Sequence, residues 1–94
     1  MASVYILYSF RADKYYIGST TDIVQRLQYH QEKEFPNSFT ARYDDWELYF
    51  SIDNLSNKTA RSIELHVKAM KSRKYITNLK EYPEMVEKLI AKYS

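Results

Sequence analysis

One glycine stands in a chain of 94 residues, and the side chains around it are types that bind anions and move protons. Gly18 closes the segment Tyr15-Tyr16-Ile17-Gly18, where a strand hands over to a helix. A glycine there either takes a positive φ or lets another backbone or a phosphate come close; a plain strand-end turn is the ordinary alternative. Tyr16 shares a strand face with Gly18. Tyr5 precedes Tyr16 by eleven residues, within reach across a hairpin, and Arg26 follows Tyr16 by ten. Arg26 and His30 are four apart and stack on one edge of a helix. Two phenols, a guanidinium and an imidazole can therefore converge on one patch. Arginine holds its proton and offers a fork of donors to anionic oxygens. A phenol, with an unperturbed pKa of ~10, turns to phenolate only beside a cation.

A second chemical signal lies in the C-terminal half. Glu64 borders the apolar stripe of a helix, and a carboxylate in that position needs a partner. The candidates within the helix are Lys68, at i+4, and Arg61, at i−3. Each residue also has an ordinary reading. Tyr5 and Tyr16 suit a cross-strand aromatic pair, Arg26 and His30 suit a solvated helix face, and His66 reads as structural or exposed.

The elements that must position these groups follow from periodicity. Val4–Tyr8 and Tyr15–Gly18 read as two strands of an antiparallel hairpin, separated by the polar stretch 9–14. Thr20 or Thr21 can cap a helix over about 22–31, with Asp22 in its first turn. Residues 32–45 are polar, contain Pro36 and read as irregular. Trp46–Ile52 reads as a third strand. Ser56 precedes a helix to about Ser72, with Ala60, Ile63, Val67 and Met70 as its buried stripe. A short helical piece follows over Tyr75–Lys80. Pro83 opens a last helix whose Met85, Val86, Leu89, Ile90 and Tyr93 face the core. The order is β-β-α-β-α-α-α, an α+β arrangement in which helices cover a three-stranded antiparallel sheet.

Residues 1–94 make one domain with a modest core. No apolar run approaches the ~18 residues that span a bilayer, and the first residues show no signal-peptide pattern. With no cysteine, disulfides and thiolate zinc sites are excluded, which fits a cytoplasmic location. The formal net charge is only +2. Between residues 58 and 74, however, six cations face the single acid Glu64, a local balance of +5. Such a stretch can track a phosphate backbone or be a solvated helix face.

Val4-Tyr5-Ile6, then Tyr16-Ile17-Gly18, with Arg26 and His30 behind, resembles the GIY-YIG nuclease family. The patterns around Trp46-Glu47-Leu48-Tyr49 and Ser72-Arg73-Lys74-Tyr75-Ile76 resemble its small single-domain bacterial members. The first motif reads Ser3-Val4-Tyr5 and lacks the glycine of the family name, but keeps the tyrosine. The resemblance implies an endonuclease that hydrolyses phosphodiester bonds, with DNA as the expected substrate and repair or recombination as the setting. It implies that Tyr5 or Tyr16 helps activate water, with His30 nearby to take or relay a proton. Arg26 would hold the scissile phosphate, Glu64 would bind one Mg²⁺ or Mn²⁺, and Asn78 would complete the site. Gly18, Lys68, Lys71, Arg73 and Lys74 are the candidate substrate-contacting residues. Phosphate contacts position a nucleic acid without reading its sequence, so specificity would come from a protein partner or a homodimer. The competing expectation is a binding module that keeps the fold without turnover.

Overall fold

The computed structural model describes residues 1–25 and 45–94. Arg26, His30 and the expected helix beyond Gln25 lie outside the described residues. Three strands, β1 (Ala2–Ser9), β2 (Lys14–Thr20) and β3 (Glu47–Leu55), form one antiparallel sheet in the order β2-β1-β3. Three further elements, α1 (Asn57–Met70), α2 (Arg73–Glu81) and α3 (Pro83–Tyr93), complete the described architecture. With helical residues at 23–25, this is the expected order in an α+β fold.

β1 is central, and its near-continuous apolar run is buried on both faces. Alternation sends Val4 and Ile6 toward the helices, where they join Ile63, Val67, Leu79 and Leu89 in the main core. Tyr5 and Leu7 point the other way and form a smaller cluster with Trp46, against which Tyr16 and Ile23 pack. Antiparallel pairing sets Tyr5 opposite Gly18, Leu7 opposite Tyr16 and Tyr8 opposite Tyr15. The strands run longer than their apolar cores suggest, because the ladder continues through the polar residues Lys14, Ser19 and Thr20 of β2 and resumes at Leu55 of β3 beyond an irregularity.

The helix ends are set by hydroxyls. Ser56 Oγ accepts from the Thr59 amide at 3.1 Å and opens α1. Ser72 Oγ accepts from the Tyr75 amide at 3.1 Å and opens α2 two residues before the expected start. Between them Lys71 takes the left-handed conformation that ends α1, with φ 49°. This early turn leaves Met70 44% exposed, correcting the expectation that it is buried. Pro83 occupies the first turn of α3 as its fixed φ allows. Asp22, rather than Thr20 or Thr21, caps the helical residues 23–25: its Oδ1 accepts from the Gln25 amide at 3.0 Å. Thr20 instead accepts from the Asp22 amide at 3.1 Å.

His66 is structural. On α1, its Nε2 lies 3.2 Å from the Tyr75 hydroxyl of α2 and its Nδ1 2.9 Å from the Tyr93 hydroxyl of α3. The imidazole thus joins all three helices, and Thr59 Oγ1 adds a bond to the Tyr93 carbonyl at 2.9 Å.

Candidate active site

Gly18 is glycine for a steric reason. Its φ is not positive. A Cβ on Gly18 would lie 2.5 Å from Tyr5 Oη and 2.6 Å from Tyr5 Cζ, because the Tyr5 ring lies across the register-paired glycine. What approaches the Cβ position closely is therefore a side chain of the neighbouring strand. The hairpin brings the two phenols together as expected: the Tyr5 and Tyr16 rings stack with centroids 6.3 Å apart and planes at 30°. Tyr5 is 1% exposed, whereas Tyr16 is half-buried and meets Trp46 edge-on at 6.4 Å.

Glu64 sits across the sheet from this pair. It projects from the stripe of α1 that also carries Ile63 and Val67, and it is only 4% exposed. Ser19 Oγ donates to its Oε1 at 2.6 Å, Arg61 Nη1 to the same oxygen at 3.1 Å, and Lys68 Nζ to its Oε2 at 2.7 Å. Burial alone would push the Glu64 carboxyl up. The hydrogen bonds from Lys68, Ser19 and Arg61 and the Lys68 charge outweigh burial and hold it below the usual carboxylate range. Glu64 is therefore an anion at neutral pH.

Ser19 and Tyr16 belong to the same strand but opposite faces, so the tyrosine pair and Glu64 flank β2 from its two sides. β2 is an edge strand. A ligand lying against that edge can reach both faces, which an interior strand would forbid. Arg26 and His30 follow directly from the helical residues 23–25 but lie outside the described residues. Asn78 is half-buried on α2, and its backbone carbonyl accepts from the Tyr82 amide at 2.8 Å. It is not among the hydrogen-bond partners of Glu64.

The basic residues divide in two. Lys68 is tied to Glu64. The Arg73 fork grips Asp13 through Nη2–Oδ1 at 2.6 Å and Nη1–Oδ2 at 3.2 Å. Arg73 is thus paired with an acid, although both side chains are exposed. Hydrogen bonds from Arg73 and then from Tyr8 hold the Asp13 carboxyl down at about 2. Lys71 and Lys74 are exposed, with no acidic partner among the described residues. A groove of about 350 Å³ opens between β2 and the α1–α2 junction, with Lys68, Lys71 and Arg73 on its wall and Tyr15 and Ile17 in its floor.

Sequence reasoning passed over Ser19 and Asp13. Ser19 is the residue after Gly18, which alternation places on the opposite face. Asp13 takes a left-handed turn conformation with φ 52°, and its only sequence mark is an acid in a polar hairpin loop.

No curated protein and no solved structure matches the chain. A family model does: the GIY-YIG catalytic domain, over residues 1–76. That span takes in the stacked tyrosines, Gly18, Glu64 and the start of α2, so the chain belongs to the GIY-YIG family of endonucleases.

Proposed function

We propose that the chain is an active, divalent-metal-dependent endonuclease acting on DNA, in a repair or recombination role within the cytoplasm. The observation that carries this reading is Glu64: a carboxylate 4% exposed, held ionised, on the helix that packs against the edge strand bearing Tyr16. A buried carboxylate held as an anion can ligate a dication, which would displace Arg61 and Lys68 from its oxygens. Among the described residues no cluster of three or more His, Asp or Glu could cage an ion. Mg²⁺ takes one or two carboxylates and completes its shell with water and phosphate, so Glu64 could serve as its protein ligand. Bound there, the metal would act as a Lewis acid toward the departing 3′ oxygen.

The chain's own residues have distinct tasks in this reading. Glu64 holds the metal. Tyr16, the more accessible phenol, is the one that takes the proton of the attacking water, and the sealed Tyr5 fixes its ring by stacking. A cation supplied by Arg26 or His30 would favour the phenolate. Arg26 also donates to the oxygens on which charge builds; loss of one such donor costs about 2.7–4 kcal/mol of barrier. Among the described residues, no helix is long and apolar enough to cross a membrane.

The second reading, a binding module without turnover, draws on Arg61 and Lys68, which already neutralise Glu64. The two are separated by cleavage of plasmid, branched and single-stranded DNA, and of RNA, with Mg²⁺, Mn²⁺ or EDTA. Glu64→Ala and Arg26→Ala are each expected to lose metal-dependent cleavage by about 10²–10³ or more. Wild type that binds but never cuts would favour the module. Cleavage persisting in both variants would remove the site from consideration.

A further inference from the structure

Four aromatic rings run in contact across one end of the sheet. Phe10 meets Tyr8 edge-on at 5.1 Å, Tyr8 meets Tyr15 at 4.9 Å, and Tyr15 meets Tyr49 at 5.2 Å. Cations stand over two of them: Lys80 Nζ is 4.4 Å from the Tyr49 ring centre, and the Arg73 guanidinium is 5.5 Å from that of Tyr15. Cross-strand pairing accounts for Tyr8 with Tyr15. It does not account for Phe10, an apolar ring left 73% exposed at the hairpin turn. Nor does it account for the recess of about 360 Å³ that the strip encloses with Lys80.

Tyr15 lines both this recess and the basic groove beside α1. The two meet at Tyr15, and together their walls carry five cations against two acids. Alternating π-faces and positive charge match a chain of alternating bases and phosphates, since every base has a face to stack and every phosphate a charge to meet. An apolar protein segment would fill the strip but offer no charge to Lys71 or Lys80. In a duplex the bases already stack on one another, so only an unpaired strand can use such rings.

We propose that the aromatic strip and the groove form a platform for an unpaired nucleic-acid strand. Bases stack from Phe10 toward Tyr49, and the phosphates pass Lys71 toward Lys68 and its partner Glu64. Tyr15 and Ser19 are four residues apart on β2, a span of ~13 Å. At the ~3.4 Å rise of stacked nucleotides this is roughly four nucleotides. Resting on the nuclease reading, the platform narrows the substrate to a strand that is single within a few nucleotides of the bond to be cut.

The test is fluorescence anisotropy of labelled oligodeoxythymidylate, oligouridylate and a blunt duplex, all in EDTA so that nothing is cleaved. Phe10→Ala, an exposed change, is expected to weaken oligodeoxythymidylate binding at least ~5-fold and duplex binding less than ~2-fold. Phe10→Trp should keep or tighten it, which separates stacking from a folding defect. A parallel loss on oligouridylate supports the same sugar-tolerant stacking. Unchanged single-strand affinity in Phe10→Ala, or equal loss on the duplex, overturns the platform. Because no cleavage is read, a failed nuclease reading (wild type binds but does not cut) remains distinct from a failed platform.

Discussion

A methyl group at residue 18 has no vacant space to enter. The Tyr5 phenol occupies that position, and Tyr5 is itself sealed in the cluster with Leu7 and Trp46. Gly18→Ala should therefore destabilise the fold by about 1–3 kcal/mol, the usual cost of overpacking, read as a lower denaturation midpoint at constant slope. Tyr5→Leu in the same background, which removes the phenol that collides, should recover part of the loss. A second residue-scale prediction concerns acid. Asp13 has its folded pKa depressed from 3.8 to about 2 by Arg73 and Tyr8. Its contribution is complete above the unfolded value and is lost as pH falls from about 4 toward 2. Carboxyl NMR should show Asp13 titrating near 2, and Arg73→Gln should move the midpoint upward. Glu64 shifts in the same direction, so its charge is fully present at neutral pH. The residue types at Tyr5, Tyr16 and Glu64 were legible in the sequence because each is a conspicuous group at fixed spacing. The partners of Glu64 were legible only as alternatives, since i−3 and i+4 neighbours satisfy a helical carboxylate as well as a metal would.

At the scale of elements, α1 has the most to carry, because it holds Glu64 against β2 and docks both other helices. Its start depends on Ser56, so Ser56→Ala should cost about 0.5–2 kcal/mol of stability, measured by thermal or urea unfolding. Helix α3 lies beyond the span matched by the family model, which stops at residue 76. It is fixed by Leu89 in the core and by the Tyr93 hydroxyl on His66. Tyr93→Phe keeps the ring contact with His66 and removes the hydrogen bond. It should cost about 0.5–1.5 kcal/mol and leave cleavage unchanged. A loss of cleavage larger than the loss of folded protein would show that α3 helps to shape the site. His66 gave no sign of its role in the sequence because its partners are on other helices, 9 and 27 residues away.

For the whole molecule, the charge that nucleic acid meets is smaller than the basic stretch suggests. Of the six cations between residues 58 and 74, Arg61 and Lys68 face Glu64, and Arg73 faces Asp13. Each phosphate neutralised contributes about −0.9 to the slope of log K against log salt. The double variant Lys71→Gln, Lys74→Gln should make that slope shallower by roughly 1.8 on duplex DNA, whereas Arg73→Gln should change it little. An equal effect of both would mean that Arg73 leaves Asp13 when DNA binds. What the sequence determined by itself was the order of elements and the chemical set. Periodicity, hydroxyl caps and Pro83 act over a few residues, and the family spacing of Tyr5, Tyr16, Arg26 and Glu64 is linear information. Tertiary structure alone decided which groups share a face. The order β2-β1-β3 makes β2 an edge, and its register sets the Tyr5 ring on Gly18 and turns Ser19 toward Glu64. Asp13 meets Arg73 across 60 residues. Such contacts depend on strand pairing and helix packing, which bring together residues that no local spacing relates.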